Sequence, residues 1–74
     1  MNITIEIHYI SNKNKVMQRG SFPLRKRKRE DVAFEWLKQI KRQMPYYEEL
    51  EQVLADGEDI TKLVKEIDEA PLEN

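Results

Sequence analysis

Between Asn2 and Ile10 apolar and polar positions alternate, so that Ile3, Ile5, Ile7 and Tyr9 share one face of an extended chain and Thr4, Glu6, His8 and Ile10 the other. That period of two predicts a strand with one buried face. Ser11-Asn12-Lys13-Asn14 is a polar turn whose asparagines tolerate left-handed backbone, and a second strand is predicted from about Lys15 to Phe22. With those four residues as the loop, Tyr9 faces Val16, Ile7 faces Gln18, Ile5 faces Gly20 and Ile3 faces Phe22. Val16 and Phe22 then join the apolar face of the first strand, and the two strands agree on an inside. Gly20 marks a bulge or a close contact, and Pro23 ends the second strand or places it at an edge.

The period then changes. Val32, Ala33, Trp36, Leu37, Ile40 and Met44 recur at spacings of three and four, the stripe of an amphipathic helix predicted over Asp31 to Met44. Glu30 and Asp31 suit the positive end of its dipole, and Lys38, Lys41 and Arg42 its negative end. Phe34 lies off the stripe, either at the core margin or as an exposed contact residue. After Pro45 the residues Tyr46, Tyr47, Leu50, Val53 and Leu54 again show helical spacing, with Gly57 as a C-terminal cap, so a short helix is expected. The rival is a third strand over Glu51 to Ala55 turning at Asp56-Gly57. A last helix starts at Asp59 or Thr61 and carries Ile60, Leu63, Val64 and Ile67; Pro71 and the tail Leu72-Glu73-Asn74 are expected to fray.

The predicted class is α+β: an N-terminal antiparallel hairpin packed against a central amphipathic helix, then a short helix or third strand, then a C-terminal helix. Residues 1–74 are expected to form one small domain. The absence of cysteine excludes a disulfide or thiolate site and fits a reducing compartment, and no apolar run has spanning length. The N-terminus reads as a strand rather than a signal peptide, and a cytoplasmic protein with no membrane partner is expected.

Charge changes the picture most. Net charge is −1, yet Met1 to Met44 carries 11 basic and 4 acidic residues, and Pro45 to Asn74 carries 2 basic and 10 acidic. The largest positive block is Arg25, Lys26, Arg27, Lys28 and Arg29, at the corner between strand and helix, where side chains splay and could meet several phosphates or carboxylates. Lys38, Lys41 and Arg42 are candidates to extend it. Glu48, Glu49 and Glu51 form the matching acidic candidate, for a basic partner.

Parts for catalysis are scarce. His8 is the single histidine, on an outward strand face, and Ser11 and Ser21 stand in no nucleophile motif. Two separated glycines cannot build a phosphate-binding loop, and Asp56, Glu58 and Asp59 lack the ligand alternation of a calcium loop. No enzyme, cofactor, metal or small-molecule substrate is implied. The expected function is a non-catalytic protein-interaction or regulatory module, with a protein partner or a second copy of itself. The alternatives are a nucleic-acid-binding accessory protein using the basic corner, and an acidic second half that binds a basic protein.

Overall fold

A computed structural model describes residues 1–69 as a four-stranded antiparallel sheet with two helices; the expected frayed tail at Pro71 to Asn74 lies outside the described residues. In chain order the elements are β1 (Asn2–Ser11), β2 (Asn14–Pro23), α1 (Arg29–Gln43), β3 (Tyr47–Ala55), β4 (Glu58–Asp59) and α2 (Thr61–Glu69). The sheet order is β2-β1-β3-β4. The α+β class stands.

The hairpin has the register its alternation dictates, Tyr9 with Val16 through Ile3 with Phe22, unbroken over ten pairs from Ser11–Asn14 to Asn2–Pro23. Its loop is two residues rather than four: Asn12 (φ 51) and Lys13 (φ 64) form the turn, both left-handed, as a type I′ connection requires. Gly20 causes no bulge. A Cβ there would lie 3.1 Å from the Phe22 ring and 3.4 Å from Trp36, so the bare backbone is the seat of that aromatic pair, whose centroids are 4.8 Å apart. Pro23 both ends β2 and belongs to an edge strand.

The short helix expected after Pro45 is a strand. β3 runs from Tyr47 to Ala55, longer than the rival strand, and pairs with β1. Gly57 (φ 85) caps no helix; with Asp56 (φ 50) it turns β3 into β4. Ladder shifts leave Glu51 and Glu48 as extra residues, since Leu50 faces Tyr9 while Gln52 faces His8, and Tyr47 faces Ser11 while Glu49 faces Ile10. These two β-bulges change which residues point inward. Tyr47, Leu50 and Val53 all face the core at a spacing of three, the spacing of a helix stripe.

Both helices lie on one side of the sheet. The core comprises Ile3, Ile5, Ile7 and Tyr9 of β1, Leu50, Val53 and Ala55 of β3, Val32, Ala33, Leu37 and Ile40 of α1, and Ile60 and Val64 around α2. Tyr9 is fully buried, and its hydroxyl accepts a hydrogen bond from Gln18 Nε2 at 2.8 Å. Phe34 is a margin residue, half-buried against the core with Lys38 Nζ 5.5 Å from its ring centre. At the start of α2 the Asp59 carboxylate accepts from the Thr61 N–H at 2.9 Å, while the Thr61 hydroxyl turns back and accepts from the Val53 N–H at 2.8 Å. Hydrogen bonds to the Thr61 hydroxyl, the Thr61 N–H and Gln52 hold the Asp59 carboxyl below its ordinary pKa.

Candidate functional site

The basic corner is divided by its surroundings. Arg29 donates to both oxygens of Glu58, at 2.6 and 3.3 Å, which raises the guanidinium pKa and lowers that of the carboxyl. Arg27 pairs with Glu35, nearly two turns into α1. Lys41 donates to Asp68 at 2.7 Å and lies over Tyr47, tying α1 to α2. Among the described residues, Arg25, Lys26, Lys28, Lys38 and Arg42 take part in no ion pair.

The eight basic candidates do not gather on one face. α1 is 15 residues long, which separates its ends by about 22 Å. At 100° per residue, Asp31, Glu35, Lys38 and Arg42 share its outer face in that order, so two carboxylates stand between the corner and the last two cations. Lys41 faces α2. The corner itself, Arg25 to Lys28, is what remains as a compact positive site.

The backbone there is unusual. Arg25 (φ 48) and Lys26 (φ 63) are both left-handed, and the Arg27 N–H donates to the Leu24 carbonyl across them at 2.9 Å. The two hairpin turns of the sheet place Asn12 with Lys13, and Asp56 with Gly57, in such positions, each pair holding at least one residue that tolerates them; this third turn holds an arginine and a lysine and no asparagine, aspartate or glycine.

Beside the turn lies a groove of ≈ 190 Å³ between the end of β2 and one flank of α1, walled by Phe22, Pro23, Val32 and Trp36 and flanked by Arg25 and Arg27. Glu35 and Gln39 line its far side. On the helical wheel Val32, Trp36 and Gln39 lie on the flank away from Lys41 and α2, so the groove opens toward the outer edge of β2. No motif pointed to this groove, because it depends on Gly20 letting the Phe22 ring fold under Trp36.

That edge is the second component. Ser11 and Asn14 close a two-residue hairpin, and such a closing pair exchanges both ladder hydrogen bonds. The residues of β2 bonded to β1 are therefore Asn14, Val16, Gln18, Gly20 and Phe22, while Lys15, Met17, Arg19 and Ser21 aim N–H and C=O outward. The Leu24 N–H to Met1 carbonyl bond, 3.0 Å, continues the same alternation. Among the described residues no strand pairs with that side of β2. β3 occupies the other side of β1, so the hairpin keeps one open edge rather than two.

The acidic candidates are scattered too. Glu48 accepts from the Lys13 N–H at 2.7 Å and so anchors the hairpin tip, Glu51 lies 3.9 Å from Lys15, and Glu49 sits on the open sheet face opposite Ile10. They are strand and bulge residues rather than one helix face. His8 Nε2 lies 2.7 Å from Glu6 on the same open face, Ser11 is buried at the end of β1, and Ser21 is exposed. Among the described residues no three acidic or histidine side chains are placed to hold a metal ion, and no helix is long and apolar enough to cross a membrane. No protein-family model, curated protein or solved structure matches the chain.

Proposed function

We propose that the protein is a non-catalytic interaction module that binds a protein partner by adding a strand to β2. The observation that carries this reading is the outer edge of β2: ten residues in unbroken register, with no bulge and with its only proline at the last position. Sheets commonly blunt their edges with short strands, bulges or prolines. The opposite side of this sheet uses two of these devices, a two-residue β4 and the bulges at Glu48 and Glu51, and it is closed further by the Thr61 hydroxyl on the Val53 N–H. β2 relies on charge alone, at Lys15 and Arg19. An edge left regular in this way offers main-chain hydrogen bonds for affinity and alternate side-chain positions for selectivity.

Met17→Pro tests it. The Met17 N–H points outward, so proline removes a donor from the edge and none from the β1–β2 ladder, and prolines are tolerated in edge strands. Peptides selected from a displayed random library against the wild-type protein are expected to lose binding to Met17→Pro. Selected peptides that bind both proteins equally, or a selection that yields no binder, would count against the edge.

A further inference from the structure

Resting on the reading of β2 as a docking edge, we propose that its occupant is an acidic, extended segment of another protein. It runs antiparallel to β2, places one apolar side chain in the groove against Phe22 and Trp36, and sets a carboxylate against Arg25. Three observations converge on this.

A strand added beyond β2 hydrogen-bonds to Lys15, Met17, Arg19 and Ser21 and presents its inward side chains on the same face as Val16, Gln18 and Phe22. Pro23 has no N–H to offer, so pairing weakens where the groove begins. The inward side chain nearest that end meets the wall made by Phe22, Val32 and Trp36. At ≈ 190 Å³ the groove is smaller than the ~300–1,000 Å³ clefts that enclose small-molecule ligands, and it suits a single side chain.

Charge selects the kind of segment. From Lys13 to Arg29 there are eight basic residues and no acidic one. Glu51 offsets Lys15, Glu35 offsets Arg27 and Glu58 offsets Arg29, which leaves Lys13, Arg19, Arg25, Lys26 and Lys28 without an ion pair among the described residues. The edge and the corner that follows it therefore carry a net positive charge, so a basic strand is repelled and an acidic one attracted. Arg25 borders the groove, and its side chain is available to a carboxylate because Arg27 beside it already holds Glu35. The third observation is the left-handed Arg25-Lys26 turn, where two long cationic side chains stand at positions that disfavour them.

Trp36 is the only tryptophan and lines the groove, so it reports directly. The full chain is titrated with a blocked Glu-Val-Glu-Leu-Glu-Val-Glu peptide, with the same peptide carrying Lys for Glu, and with a short DNA duplex, while Trp36 emission is followed. The Glu peptide is expected to shift the emission to shorter wavelength and saturate, and the Lys peptide to leave it unchanged. Arg25→Glu is expected to weaken the Glu peptide about tenfold or more, the scale of one charge-assisted pair. Met17→Pro should abolish binding, and so should N-methylation of the Glu peptide at alternate residues, which keeps its charge and leaves the protein unaltered. If Glu and Lys peptides bind alike and both need an unmodified backbone, the edge stands and the acidic occupant is overturned. Tight binding of the N-methylated peptide overturns the edge itself. Arg25-dependent saturation by the duplex with a silent Glu peptide makes the corner a phosphate site and overturns the proposal, as does an emission unchanged by any of them at millimolar concentration.

Discussion

Arg25 and Lys26 are held where a residue with a Cβ is about 1–2 kcal/mol less stable than in right-handed backbone. The same turn geometry is met without that cost by Asn or Gly. Arg25→Asn combined with Lys26→Gly is therefore expected to raise the unfolding free energy by about 1–2 kcal/mol in urea denaturation, and to weaken the acidic peptide. A variant no more stable than wild type would show that the two side chains make offsetting contacts. Tyr47 shows a different kind of residue-level control. Burial first, then the nearby Asp68, Glu49 and Tyr9, push its phenol from 10.0 up to about 12. The unfolded chain thus releases this proton earlier than the folded one. Its contribution to stability is complete below pH 10 and drains away as pH rises toward about 12. Tyr47→Phe removes the titration, so denaturation at successive pH values should show a shallower alkaline loss than in wild type. Parallel curves would mean that Tyr47 ionises as freely in the folded chain as in the unfolded one.

At the scale of elements, β1 and β2 were legible because their alternation is strict and their two inside faces agree only in one register. α1 was legible because stripe, first-turn acids and last-turn bases coincide, although it begins at Arg29 rather than Asp31. β3 was misread for a physical reason. Each bulge inserts one residue into a period of two, so two bulges at three-residue separation turn the inward set into Tyr47, Leu50 and Val53, the spacing that marks a helix. The three glutamates strengthened the error, since glutamate is a good helix former, while two of them are the bulge residues themselves. A strand hidden in this way also moved the acidic candidates from one helix face to several environments. The basic corner was visible as a run of charge, but the groove was not, because it needs Gly20, Phe22 and Trp36 together and only the sheet-to-helix packing brings them together.

Across the whole molecule, the basic first half and acidic second half are joined by Arg29–Glu58 and Lys41–Asp68, while the β2 edge stays positive. This bears on self-association, which an open edge would otherwise favour. Two β2 strands paired about a two-fold axis normal to the sheet must match residues of the same face, so the axis passes through a residue. Centred on Met17, the pairing sets Lys15 opposite the second copy's Arg19; centred on Arg19, it sets the two arginines opposite each other. Centred on Gln18, it sets the two arginines on the diagonal, about 7–8 Å apart. Each arrangement opposes like charges, the recognised means of keeping an otherwise regular edge from pairing with itself. The wild-type chain is therefore expected to be a monomer at micromolar concentration and low ionic strength. Lys15→Thr combined with Arg19→Thr keeps the strand and removes the repulsion, so light scattering should show dimers for that variant, and Met17→Pro added to it should restore the monomer. Wild-type dimers whose Met17 and Arg19 amides are protected from hydrogen exchange would instead make a second copy the occupant of the edge and displace the acidic segment from it.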